Sequence, residues 1–133
     1  MFQNLLFVSF VCKGEFHVGT DALLWLKRSI DYIFRFLRLF YLNQTQSSED
    51  LTPLFTDAYA QTLEKHHNWF IKQIFHVCLR ATPSRSKLLQ MLKREQDEIE
   101  ENTIFQDIDA YVQRLERNIQ NIDGLFHRYQ LPK

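Results

Sequence analysis

From Thr20 to Leu42, apolar residues recur at steps of three and four: Leu23, Leu26, Ile30, Ile33, Phe34, Leu37, Phe40 and Tyr41. That spacing predicts an amphipathic helix with one wide apolar face. Thr20 or Asp21 offers a side-chain oxygen to cap its first free N–H groups. Lys27, Arg28, Asp31, Arg35 and Arg38 fall mostly off the apolar face. The polar run Asn43 to Ser48 predicts a loop. Thr52 and Pro53 predict a second helix, with Thr52 as N-cap and Pro53 in the first turn, where its missing N–H costs nothing. It is expected to run from Pro53 to about Arg80. Its later half carries Trp69, Phe70, Ile71, Ile74, Phe75, Val77 and Cys78 and is apolar nearly all round. Such a segment is usually buried between layers. Pro83 ends it and opens a short helix over 84–93. The charge run from Lys93 to Glu101 reads as a solvated loop or frayed helix end. From Asn102 or Thr103, the stripe Ile104, Ile108, Tyr111, Leu115, Ile119, Ile122, Phe126 and Tyr129 predicts a last long helix, with Gly124 late in it. No repeat is visible and no segment reads as a confident strand. The expected fold class is all-α.

Composition narrows the classes. The chain has 133 residues, enough for one domain. Sixteen Lys and Arg balance 16 Asp and Glu, which argues against a generic nucleic-acid binder, since phosphate neutralisation needs a basic excess. Twelve Phe with only 3 Gly and 3 Pro favour long helices around a generous apolar interior. Residues 1–17 form an atypical apolar segment set apart from 18–133. The run from Met1 to Cys12 resembles a short signal h-region but has no basic n-region and no clear cleavage site. It is too short to span a bilayer, which takes about 20 residues, so no integral membrane protein is expected. Cys12 and Cys78 have no metal-like spacing. Two reduced thiols in a cytoplasmic protein are expected, a disulfide being the alternative.

Few residues suggest chemistry. His66 and His67 are adjacent, so on a helix they point about 100° apart and cannot act as the i,i+4 pair of a zinc helix. There is no nucleophile elbow, glycine-rich phosphate loop or paired metal carboxylate. No enzyme, metal or cofactor is expected. Trp25 is either a core aromatic or, one turn before Arg28 and Ser29, a flat apolar ring bordered by donors, which suits a sugar. His67 is either a satisfied boundary residue or the donor to a buried lipid amide or carbonyl. His66 reads as its outward neighbour. Trp69 is either core or a ring at a membrane interface.

Two stretches carry a family resemblance. Val18 to Arg28 resembles the headgroup-helix motif of the glycolipid transfer proteins. Ala58, Tyr59, Leu63 and the run from His66 to Phe75, continued by Cys78 to Ser84, resemble that family's second signature. The likeness covers about residues 18 to 131. It implies an all-α two-layer helical sandwich with lipid chains between the layers and the headgroup on the surface. It further implies that Trp25 stacks on the first sugar beside Arg28, that His67 holds the ceramide amide, and that Trp69 touches the membrane. Family members that bind a phosphate headgroup carry an Arg near the position of Trp25, so a neutral glycolipid is favoured. The segment also resembles the transfer domain of the four-phosphate adaptor proteins. In the family an earlier helix supplies an Asp, an Asn and a Lys to the headgroup. Residues 1–24 hold no such helix, so a domain truncated at its N-terminus is expected, with part of its apolar wall exposed. The expected function is to bind a sphingolipid, with a glycosphingolipid such as glucosylceramide foremost, and to transfer it between membranes through peripheral contact. The alternative is a non-transferring relic or helical interaction module, pairing through the exposed apolar face as a dimer or with another protein.

Overall fold

The computed structural model describes residues 18–93 and 98–131. Five helices order the chain: α1 (Val18–Leu42), α2 (Thr52–Gln61), α3 (Trp69–Cys78), α4 (Arg85–Lys93) and α5 (Glu101–Arg128). Single 3-10 turns, Glu64–His66 and Leu79–Ala81, flank α3. No strand occurs among the described residues, and the all-α expectation holds. The apolar segment expected over 1–17 and positions 94–97 of the charge run lie outside the described residues. The remainder of that run, residues 98–100, is non-helical before Glu101 opens α5.

The core forms where α1 packs against both α5 and α2. Phe40 of α1 meets Phe105 of α5 at a ring separation of 5.3 Å. Phe36 stacks on Phe55 of α2 at 3.9 Å. Sharing α1 between two partners widens and shifts its buried arc. Phe36, off the expected stripe, is buried, while Leu26 and Ile33, on it, are exposed. On α5, Val112 rather than Tyr111 turns inward.

The single helix expected from Pro53 to Arg80 is broken. It stops at Gln61, makes one 3-10 turn, and restarts at Trp69. Two residues cause the restart. His67 is extended at φ −99°, ψ 136°. Asn68 then caps α3, its side-chain oxygen accepting from Ile71 N–H at 3.0 Å, the role for which Asn is among the best residues. The start of α2 also differs from expectation. Thr52 is already helical, Leu51 occupies the N-cap position without a side-chain cap bond, and the Asp50 carboxylate accepts from Thr52 N–H at 2.9 Å.

α3 departs furthest from expectation. It is not buried between layers, and no residue of it is fully buried. Trp69 is 74% exposed and Phe70 62%. Phe75 is its inward anchor, stacked on Tyr59 at 3.6 Å and edge-on to Tyr32 at 6.2 Å. A helix apolar all round needs neighbours all round. α3 has a single covered side among the described residues.

The loop between α1 and α2 is tied down by a buried cation. Arg85, 6% exposed, donates to the carbonyls of Asn43 at 3.2 Å and Gln44 at 2.7 Å. Its guanidinium lies over Phe40 and Phe105. Glu49 completes the tie by accepting from Ser86 N–H and Oγ, and these bonds hold its carboxyl below the usual range.

Candidate headgroup site

The break after α2 creates the site. Because His67 sits on an extended residue rather than on a helix, its ring turns toward α1 and stacks on Trp25, with centroids 5.8 Å apart and planes 23° apart. Three residues along α1, the Arg28 guanidinium lies 4.9 Å from the Trp25 ring centre, a cation–π contact. Trp25 is nevertheless 43% exposed, so the ring retains surface for a ligand. The structure therefore brings three of the four expected residues, Trp25, Arg28 and His67, into one cluster. Trp69 stands one residue past the Asn68 cap, facing solvent.

His66 is not the outward neighbour that a continuous helix implied. Its ring meets the Trp25 ring edge-on at 6.5 Å. It also lines a cavity of about 230 Å³ between α1 and the end of α2, together with Lys27, Arg28, Asp31, Gln61 and Lys65. Desolvation, then the charges of Arg28, Lys65, His67 and Lys27, hold the His66 imidazole below its usual pKa. Lys27 is fixed by an ion pair with Asp123 of α5 at 2.8 Å.

Sequence reasoning gave no role to Tyr59. This tyrosine is 2% exposed, and its hydroxyl lies 2.9 Å from His67 Nδ1, so it orients the imidazole. The signal available was the i,i+8 spacing of Tyr59 and His67, uninformative on a straight helix and meaningful only once the chain turns between them. A second cavity, also about 230 Å³ and mostly apolar, is lined by Tyr32, Phe55, Phe75, Cys78, Leu79 and Pro83. Ala81 and Thr82 complete its lining, in which the side-chain hydroxyls are those of Tyr32 and Thr82. Burial, with Tyr59 nearby, pushes the Tyr32 phenol up to about 12, so it stays neutral there. Cys78 is exposed, and Cys12 lies outside the described residues. No cluster of metal-ligating side chains occurs among the described residues. No helix among them is long and apolar enough to cross a membrane.

Comparison with known proteins adds a family. The model of the family Glycolipid transfer protein (GLTP) matches residues 9–94. Pleckstrin homology domain-containing family A member 8 of Danio rerio is 32% identical over 117 residues, which is 85% of this chain and 21% of that protein. A glycolipid transfer protein of Aureobasidium melanogenum is 38% identical over 84 residues, 63% of this chain and 40% of that protein. Among solved structures, a mutant of Arabidopsis ACD11 (accelerated-cell-death 11) complexed with C12 ceramide-1-phosphate matches with a TM-score of 0.76 at 27% identity. That match covers 99% of this chain and 61% of that one. FAPP2, which selects simple glycosphingolipids using the GLTP-fold, matches with a TM-score of 0.75 at 25% identity, over 94% of this chain and 59% of that one. The chain thus spans 21% and 40% of the length of these two curated relatives.

Proposed function

The chain belongs to the glycolipid transfer protein family, and on that premise we propose that it binds a glycosphingolipid, with glucosylceramide the simplest fit, and carries it between membranes. The observation that carries this reading is the meeting of Trp25 and His67 across the α2–α3 break, with Arg28 over the indole and Tyr59 behind the imidazole. A sugar presents a C–H face to Trp25 and hydroxyls to Arg28. The free nitrogen of His67 is within the same cluster and offers a hydrogen bond to the ceramide amide, whose burial unpaired would be costly. Acyl chains then enter the apolar cavity at Phe75 and Leu79 and continue along the exposed face of α3. Each buried CH₂ contributes about 0.8 kcal/mol, so the chains supply most of the affinity and the headgroup cluster the selection. Trp69 and Phe70, exposed on that same helix, suit contact with the membrane surface. Residues 18–133 form the lipid-binding unit in this reading.

The test is transfer of fluorescent glucosylceramide between vesicles by the full chain, with Trp25→Ala and His67→Ala as variants. Transfer lost in both variants, at unchanged helicity, is the expected result. Transfer indifferent to both would overturn the reading. Nothing in this proposal calls for bond-making chemistry in the site.

A second reading rests on the exposed Trp69, Phe70, Ile74 and Val77 of α3. An apolar face of this kind marks a contact surface, and the chain would then act as a helical interaction module. Concentration-dependent dimerisation without retained lipid would favour it, and a monomer that carries lipid would count against it.

A further inference from the structure

The apolar cavity where α1, α2 and the end of α3 meet carries a polar feature that shielding a hydrocarbon chain does not need. Beside Phe55, Phe75, Leu79 and Pro83, its lining includes Tyr32 and Thr82. Both are half-buried, and among the described residues neither side-chain hydroxyl makes a hydrogen bond. Burial keeps the Tyr32 phenol neutral, so its hydroxyl can both donate and accept. A run of CH₂ groups drawn over such a hydroxyl strips its water and returns no partner, which weakens binding. A ligand hydroxyl at the same place restores the partner, and a site of this kind discriminates against the analogue that lacks it.

The position of Tyr32 decides which part of a lipid would meet it. It follows Trp25 by seven residues, so it stands two turns along the same face of α1, about 10 Å away. A row of rings joins the two. Trp25 stacks on His67, whose Nδ1 lies 2.9 Å from the Tyr59 hydroxyl. Tyr59 stacks on Phe75, and Phe75 meets the Tyr32 ring edge-on at 6.2 Å. A lipid with its sugar on Trp25 and its amide at His67 therefore brings the first carbons of a chain, not its far end, to Tyr32. The acyl carbon next to the amide carbonyl is among them.

We infer that Tyr32 is a specificity-determining residue for the hydrocarbon part of the ligand, its hydroxyl pairing with a hydroxyl on the acyl carbon next to the amide, so that the class selected is the α-hydroxyacyl glycosphingolipids. The inference rests on the glycosphingolipid reading and adds a chain preference to it.

The experiment measures binding of the full chain to glucosylceramide with an N-palmitoyl or an N-(α-hydroxypalmitoyl) chain, each diluted in phosphatidylcholine vesicles. The expected result is a preference of about fivefold for the hydroxylated lipid, the scale of one hydrogen bond. Tyr32→Phe keeps a ring against Phe75 and, at unchanged helicity, abolishes the preference by moving the two affinities in opposite directions. The hydroxylated lipid binds more weakly, and the plain lipid more tightly because its chain no longer covers an unpaired hydroxyl. A residue that only packs the cavity would weaken both lipids alike, and that result overturns the inference. So does equal affinity of the unmodified chain for the two lipids. A preference that survives Tyr32→Phe but is lost in Thr82→Val also overturns it, placing the partner on Thr82. The matching pair of ceramides without sugar reads the cavity apart from the headgroup site. If neither glucosylceramide binds, the glycosphingolipid reading fails by itself, and a preference for the α-hydroxy ceramide that Tyr32→Phe removes retains the role of Tyr32. Ceramides bound equally, or not at all, overturn it.

Discussion

Replacing Tyr59 with Phe tests how the site is held. Tyr59 is buried, and its ring stacks on Phe75 with planes only 8° apart. Phe keeps that stack, so the substitution removes one oxygen and its 2.9 Å bond to His67 Nδ1. Desolvation, with Glu64 nearby, pushes the Tyr59 phenol above its ordinary value. The hydroxyl therefore keeps its proton and is able to donate to Nδ1. In the tautomer where Nδ1 accepts, Nε2 carries the hydrogen that the proposed function directs to a ligand carbonyl. Loss of one such hydrogen bond costs about 1 kcal/mol of stability. The same energy, taken from the orientation of His67, weakens lipid binding by about fivefold. Long-range ¹⁵N correlation spectra of the imidazole, recorded beside vesicle-transfer rates, check both parts. Wild-type transfer, with His67 in an unchanged tautomer, would refute the idea that Tyr59 sets the donor.

Three further outcomes follow from the packing. Arg85→Met should lower stability by about 2–4 kcal/mol, because two carbonyls of the α1–α2 loop lose a charged donor. The denaturant midpoint should fall with little change in slope, and Arg85→Lys should recover less than half, an ammonium being unable to fork to both carbonyls. Gly124→Ala and Gln130→Gly should each add about 1 kcal/mol and raise the melting temperature by a few degrees. Gly124 lies inside α5 with open space where a Cβ would stand. Gln130 has φ 51° and closes α5 with bonds from Gln130 N–H to the His127 carbonyl and from Leu131 N–H to the Phe126 carbonyl, a position suited to glycine. His66 titrates below its unfolded value of 6.5, so the unfolded chain binds the proton more tightly. The stability associated with neutral His66 is therefore present above pH 6.5 and is lost as the pH falls below it. His66→Gln should flatten the melting temperature between pH 7 and pH 5, and an unchanged slope would remove His66 as the cause.

The long helices were legible because α1 and α5 are long enough for periodicity to dominate over end effects. Their ends fall close to the expected positions. Which face each buries was less legible. A stripe identifies the side that meets one partner, whereas α1 meets two, and Phe36 is buried by the second while Leu26 of the stripe stays exposed. For α3 the sequence states only that every side is apolar. Burial depends on which elements arrive to cover those sides, and hydrophobicity along one helix carries no such information.

The break after α2 links the fold to the site. Nothing in the apolar pattern from Leu54 to Val77 announces it, and the signal is Asn68, a capping residue that an uninterrupted helix would leave without a task. On a straight helix, His66 and His67 would diverge and only one could approach α1. With His67 extended and the cap beginning immediately after it, both imidazoles reach Trp25, one by its face and one by its edge. The same restart carries Trp69 and Phe70 out to the surface as the first turn of α3. One local capping event therefore supplies the polar cluster and the exposed apolar helix side by side. That adjacency is what a lipid with a polar head and apolar chains requires of a protein that must meet both.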